Sequence, residues 1–452
     1  MSIMKRKRWY LVILVITISG CIHLSDLKYT KSPYYIRTIM AIQKAGSQIN
    51  VQDNSGALMA GTAKVNITPP IGTPLGGYGK RINVPSVGIH SQLYARALAL
   101  SDGKDTVVIV GLDLVAVSDD IYNVVYALIK EKIPLNRENL LISATHTHSG
   151  TGVMGKRFIE RQAVGRFNKE IFEFTTEKIA QAVIRAYENL SPARIGAGKD
   201  YIQNLNINRM IAGGITDPEI AVLRVDNIKG APIAYLINFA AHATVLGSSN
   251  LYICGDYPGW LQKEMEKIFP DTVAIFTSGA MGDIAPRLDG EFPSSFEKAK
   301  QMGRILSEKV LEISKAIKTH QEVEIICIGA DIYLPPVQLK PLGFKVPTFL
   351  GRFFLDRKTF KNIILINDIL LVALPCEPGV EIGLELKNIA REAGYFPYII
   401  TLANDWIGYV VPEKYYYTDE YEARMSFYGP KMDSYTKDIV KEFIRVLERR
   451  LE

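Results

Sequence analysis

At 452 residues, 48% hydrophobic and 22% charged, the chain has material for one large or two moderate cores and is not composed like a disordered protein. Of its formal net charge of +6, four charges come from Lys5, Arg6, Lys7 and Arg8. Taking those away leaves +2, and no basic stripe with interleaved aromatics follows, so a nucleic-acid partner is excluded.

The basic run leads into Trp9 to Ile16, an apolar stretch too short to span a bilayer, and ends at Ile18-Ser19-Gly20-Cys21. This resembles a bacterial lipobox. Residues 1–20 then read as a lipoprotein signal peptide, cut before a lipidated Cys21, and residues 21–57 as a membrane tether. Two or three acyl chains anchor stably where one does not. The expected location is extracytoplasmic, lipid-anchored to the cell membrane or outer membrane. With Cys21 spent, Cys254, Cys327 and Cys376 are an odd, widely spaced set that makes no disulfide framework. They read as small buried apolar residues.

From Leu58 onward, apolar strand-like runs alternate with amphipathic helices. Strands are expected at 106–117, 140–144, 232–240, 272–276 and 398–402, with a hairpin over 362–374 turning at Asn367-Asp368. Helices are expected at 168–189, 295–318, 380–394 and 434–451. In the first of these, Ile171, Phe174, Ile179, Ala182, Val183 and Ala186 form the apolar stripe. The fold class that follows is α/β: a mixed β-sheet core with flanking helices, and a metal site at the C-terminal ends of strands. Leu334 to Phe354 is Pro-rich and apolar, carries Lys340, Lys345 and Arg352, and reads as an irregular loop or a lid.

The chemistry concentrates at strand ends. Histidine occurs only six times, yet His146 and His148 share one tripeptide where the 140–144 strand runs out. In extended chain, residues two apart face the same way, which would send both rings into one site. His242 sits at an equivalent strand end, as do Asp283, Glu377 and the stretch from Asn404 to Tyr409. No nucleophile elbow or phosphate loop is present. Two imidazoles and a carboxylate suit Zn2+ with a position left for water. Composition and spacing reach a metallohydrolase and stop there.

Several motifs resemble, in order, the neutral, non-lysosomal ceramidases. They are Gly76-Gly77-Tyr78-Gly79, Gly88-Ile89-His90, Thr145 to Ser149, and Gly282-Asp283-x-x-Pro286. Pro375 to Gly379 stands where that family has Pro-Gly-Glu-Phe. Asn404 to Tyr421 and Ser426 to Pro430 complete a resemblance covering roughly residues 60–435. The resemblance implies zinc held by His146, His242, Glu377 and Tyr409. It places His148 beside the zinc water and the substrate, Arg209 against the substrate, and Tyr421 as hydrogen-bond donor to the developing oxyanion. The implied reaction is hydrolysis of the N-acyl amide of ceramide or a related N-acyl lipid at a membrane surface.

Four departures leave the substrate open. Ala285 stands where the family has serine. Pro378-Gly379 replaces the usual Phe-Thr, which makes Glu381 a second candidate ligand. Asp256, in Gly255-Asp256-Tyr257-Pro258-Gly259, brings an extra carboxylate. Residues 58–452 are expected to form one ceramidase-like catalytic domain, without the family's C-terminal immunoglobulin-like domain. A zinc hydrolase of a non-sphingolipid amide or ester, and an inactive metal-retaining lipoprotein that binds a ligand, stay as alternatives.

Overall fold

Eight strands make the larger sheet: β1 (Met59–Asn66), β2 (Tyr94–Ser101), β3 (Thr106–Leu112), β4 (Leu140–Ala144), β5 (Ser191–Tyr201), β6 (Glu219–Asn227), β7 (Pro232–Phe239) and β8 (Val273–Ser278). Their order is β8-β7-β6-β5-β1-β2-β3-β4 in this computed structural model, which describes residues 28–48, 55–339, 344–345 and 358–451. The inner pairs are antiparallel, while the outermost pairs, β7 with β8 and β3 with β4, are parallel. Parallel neighbours need a crossover. Helix α2 (Asp119–Ile129) supplies it between β3 and β4, and the stretch between β7 and β8 holds another helix, Asp256–Ile268.

A second sheet follows the order β9 (Ile325–Tyr333), β10 (Lys358–Ile366), β11 (Ile369–Ala373), β12 (Phe396–Ile400), with the last pair again parallel. The expected hairpin turn falls between β10 and β11, where Asn367 adopts φ 55°. The remaining helices are α1 (Pro33–Ser47), α3 (Phe158–Val164), α4 (Lys169–Glu188), α5 (Asp256–Ile268), α6 (Ser295–Ala316), α7 (Val380–Glu392), α8 (Tyr421–Arg424) and α9 (Met432–Leu451).

The strands are apolar on both faces because both faces are covered. One face of the larger sheet packs on α2, α4, α5 and α6 through residues such as Val110, Ile142, Ile179, Leu261 and Leu306. Its other face meets the smaller sheet through Leu98, Ile109, Leu223, Ile275, Ile364 and Leu371. The outer face of the smaller sheet is closed by α1, α7 and α9, through Ile42, Leu386, Val440 and Phe443. The result is four layers: helices, sheet, sheet, helices. Helix α1, in the stretch expected as a tether, buries Thr38 and Ile42, and the Thr38 hydroxyl accepts from Tyr435 on α9.

Two details differ from expectation, each for a physical reason. β3 stops at Leu112 rather than Val117, because the Asp113 carboxylate turns to accept from Tyr94 N and the buried Arg96. In α4 the buried stripe begins at Phe172 rather than Ile171 and Phe174, after Asn168 caps the helix by accepting from Ile171 N. The lipobox, residues 49–54 of the tether, and most of the 334–354 loop lie outside the described residues.

The site is positioned by a seam. The chain beyond β12 passes between the two outer edges of the larger sheet. Thr401 N donates to Ser278 O at the end of β8, and Ser143 Oγ on β4 donates to Thr401 O. Asn404 N then donates to Ile142 O, and its side chain accepts from Ile142 N. The C-terminal ends of β4, β7, β8, β11 and β12 are thereby drawn to one place.

Candidate metal centre

His146 follows β4 with φ 63°, a left-handed conformation that breaks the extended run. The two imidazoles of the tripeptide therefore meet through this kink and not through strand alternation. Such strain in a residue other than glycine collects at functional sites. The His146 ring is fixed from behind, where Nδ1 bonds Val115 O at 2.5 Å. His242, at the end of β7, is held likewise by Nδ1 on Met281 O at 2.8 Å and Ile284 O at 3.1 Å. A carbonyl only accepts, so both rings carry their proton on Nδ1 and turn the Nε2 lone pair inward.

Glu377 and Tyr409 arrive together because Glu377–Pro378 and Tyr409–Val410 pair as a short parallel ladder, Glu377 directly opposite Tyr409. Glu377 Oε2 lies 3.3 Å from Nε2 of His146 and 3.3 Å from Nε2 of His242. The Tyr409 hydroxyl is 3.2 Å from His242 Nε2, and His148 Nε2 is 3.2 Å from His146 Nε2. All five side chains are buried.

The electrostatics make this convergence costly without a cation. Burial lowers His242 to about 3, reinforced by Arg209 and His146, and holds His148 well below its ordinary value with the other two imidazoles adding. Burial works to raise the Glu377 carboxyl, but the two imidazoles outweigh it and keep it well below the usual carboxylate range. Glu377 Oε2 thus faces Nε2 of both His146 and His242 and has no hydrogen-bond partner. A divalent ion resolves this. Tetrahedral zinc with bonds of about 2.0–2.1 Å separates its ligands by about 3.3–3.4 Å, close to the spacings above. The residues therefore fit a metal, and the His146, His148 and His242 ligand atoms all lie within 4.8 Å of one another.

Neighbouring side chains hold the set in place. Trp406 Nε1 donates to Glu377 Oε1 at 2.8 Å. Arg209 donates from Nε to Glu422 at 2.7 Å and from Nη2 to the Tyr409 hydroxyl at 3.2 Å. Burial and Glu377 push the Tyr409 phenol well up, with Arg209 opposing them. The buried Arg81 donates to His148 O and Asn250 O, and to Gly76 O at 3.1 Å, which fixes the backbone of His148. Trp406, Glu422 and Arg81 were not singled out in the sequence. Only Trp406, within the noted strand-end stretch, gave any signal.

The other candidates separate by position. Glu381 turns away to Lys414 at 2.7 Å and the Tyr415 hydroxyl, leaving Glu377 as the carboxylate between the histidines. Asp283 accepts from Val380 N and Asn208 Nδ2, clamping the start of α7. Asp256 is spent on Leu246 N and Tyr257 N in the loop after His242; burial raises it to about 6. Ala285 pairs with Ile207 in a short antiparallel ladder. Cys254 and Cys376 are buried free thiols, each raised by burial to about 12, while Cys327 is partly exposed.

Beside the centre opens a pocket of about 70 Å³. His146, His148, Glu377 and Tyr409 stand at one end, and Val115, Val117, Ile121, Met154, Val164 and Met425 form the apolar wall. Tyr421, half exposed, lies at the mouth with its ring 5.7 Å from that of Tyr409.

Comparison with known proteins points to one family and one fold. Residues 58–307 match the family described as neutral/alkaline non-lysosomal ceramidase, N-terminal. The neutral ceramidase of Pseudomonas aeruginosa is 25% identical over 252 residues, 51% of this chain and 38% of that protein. Neutral ceramidase B of Dictyostelium discoideum is 28% identical over 239 residues, 47% of this chain and 33% of the relative. The chain thus spans less than two-fifths of the length of these relatives. The crystal structure of the Pseudomonas aeruginosa enzyme superposes with a TM-score of 0.78 at 21% identity, covering 87% of this chain and 75% of that one. A ceramidase complexed with C2 gives 0.76 at 22% identity, over 87% and 76%.

Proposed function

Because this chain belongs to the neutral/alkaline non-lysosomal ceramidase family, we propose that it is a zinc-dependent amidohydrolase cleaving the N-acyl amide of ceramide or a related N-acyl lipid. The observation that carries the reading is the meeting of imidazole, carboxylate and phenol oxygen at 3.2–3.3 Å, at the foot of an apolar pocket.

His146, His242, Glu377 and Tyr409 are the residues that would hold the metal. Both histidines have the second partner a ligand imidazole needs, a backbone carbonyl on Nδ1, whereas His148 Nδ1 has none. His148 is accordingly assigned to the substrate side. A bound divalent ion supplies Lewis acidity toward a carbonyl and acidifies water. The protein does the rest. The apolar wall takes an aliphatic chain and excludes solvent. His148, whose Nε2 stands 3.2 Å from that of His146, is the group placed to take a proton from the attacking water and return it to the leaving nitrogen. The Tyr421 hydroxyl donates to the oxygen where charge develops. Arg209 is held by Glu422 with its cation beside Tyr409, which favours the phenolate there.

Ala285 supports a second reading, the same hydrolysis on a non-sphingolipid amide or ester, because the serine hydroxyl of the family is missing. One experiment addresses both. Metal content is measured on purified protein, followed by turnover of fluorescent ceramide and of short N-acyl amino acids. The expected result is about one zinc per chain and ceramide hydrolysis that His146→Ala abolishes. Zinc with turnover of only the short amides selects the second reading, and absence of both metal and turnover overturns the proposal. The N-terminal lipid anchor at Cys21 is part of the same proposal and would keep the enzyme at the membrane face that supplies such lipids.

A further inference from the structure

Three polar side chains interrupt the apolar wall of the pocket, and two of them are committed elsewhere. Ser118 caps α2 by accepting from Ile121 N. Glu160 accepts from both the backbone and the guanidinium of Arg157 at the start of α3. Thr151 differs. It lines the same pocket and is completely buried, and its hydroxyl has no hydrogen-bond partner.

Its backbone leaves little freedom to find one. Thr151 pairs with Leu75, Gly76 N donates to Gly150 O, and Gly152 N donates to Pro74 O. Three successive residues are therefore strapped to the 74–76 segment. A buried hydroxyl without a partner is costly to keep, and here the remaining place for a partner is the pocket itself.

We propose that Thr151 determines substrate specificity by hydrogen-bonding a hydroxyl group that the substrate carries next to its amide. This rests on the amidohydrolase reading above. The enzyme then prefers hydroxylated N-acyl compounds to plain alkyl amides, because a substrate without that hydroxyl leaves Thr151 unpaired in the closed complex. The hydroxyl belongs either to the amine side, as in an N-acyl amino alcohol, or to the acyl side, as in a 2-hydroxyacyl amide. The chemistry recognised is the same.

The test uses metal-loaded full-length protein and three matched probes: N-hexanoyl-2-aminooctane, N-hexanoyl-2-aminooctan-1-ol and N-(2-hydroxyhexanoyl)-2-aminooctane. One hydroxylated probe should exceed the plain one in kcat/KM by roughly two- to tenfold, the worth of one neutral hydrogen bond. Which of the two does so identifies the side. Thr151→Val, nearly equal in volume, should abolish the preference by bringing the kcat/KM ratio of hydroxylated to plain probe to about one, and Thr151→Ser should keep it. A parent that treats all three probes alike overturns the proposal without any variant. So does a Thr151→Val enzyme that loses the same factor on every probe. If no probe is hydrolysed, the amidohydrolase reading fails. Calorimetric titration with 2-aminooctan-1-ol against 2-aminooctane, and with 2-hydroxyhexanoate against hexanoate, then decides the role of Thr151, equal affinities within both pairs overturning it.

Discussion

His146 and His148 are separated by one residue and by their chemistry. In the proposed function His146, its Nδ1 anchored on Val115 O, is a ligand, whereas His148 carries a proton. His148→Ala is therefore expected to retain its metal, measured by elemental analysis, and to lose turnover by roughly 100-fold or more. A different residue gives a stability effect. Lys361 is buried on the face of β10 that meets α9, its Nζ 5.9 Å from the Phe443 ring, and burial lowers it to about 7. The unfolded chain holds that proton up to about 10.4, so between the two values folding releases it. The burial penalty is full below about pH 7 and fades as pH rises toward 10.4. Lys361→Met should stabilise by on the order of 3 kcal/mol at pH 6, with the gain shrinking steadily to pH 10 in denaturant titrations. At this scale the sequence was most informative for histidine, which is scarce and marked strand ends. Thr151 and Arg81 were illegible, because their importance lies in what their neighbours fail to supply or happen to offer.

Turns and ladders, not the long elements, give the site its accuracy. Gly77 adopts φ 95°, and a Cβ added there would lie 2.5 Å from Cγ and Nδ1 of His148. Gly77→Ala must therefore strain the turn and displace the ring. The expected outcome is kcat reduced roughly tenfold or more with metal content unchanged, a combination that separates a displaced imidazole from a lost ligand. Strands buried on both faces, such as β3, β4, β7 and β8, were legible as unbroken apolar runs. β1, β2, β5 and β6 were not, since β1 mixes Lys64 and Asn66 with alanine and glycine, and β5 is half exposed. Their identity as strands depends on long-range pairing. The ladder that sets Glu377 opposite Tyr409 is only two residues a side, and no periodicity reveals an element that short.

Over the whole molecule, the proposed metal holders come from both sheets. His146 and His242 extend strands of the larger one, whereas Glu377 and Tyr409 follow strands of the smaller. An ion bound among them joins two layers that otherwise meet through apolar contact and the 401–404 seam. Binding to the folded state alone stabilises it by mass action, about 2.7 kcal/mol when free metal is a hundred times its Kd. Chelation should lower the thermal transition by several degrees, and readdition of zinc should restore it, both read by scanning calorimetry. The layered α/β plan was legible because alternating runs and helices imply it. The seam was not, since it is made by main-chain bonds from Thr401, Ala403 and Asn404 whose partners are far away in sequence.

The spread of these four residues along the polypeptide also sets a timetable. During synthesis both imidazoles leave the ribosome long before the glutamate, and the tyrosine follows later still. No nascent fragment ending ahead of residue 409 contains the full coordination set. In the proposed site, an ion held by all four side chains can therefore settle only after synthesis has passed residue 409.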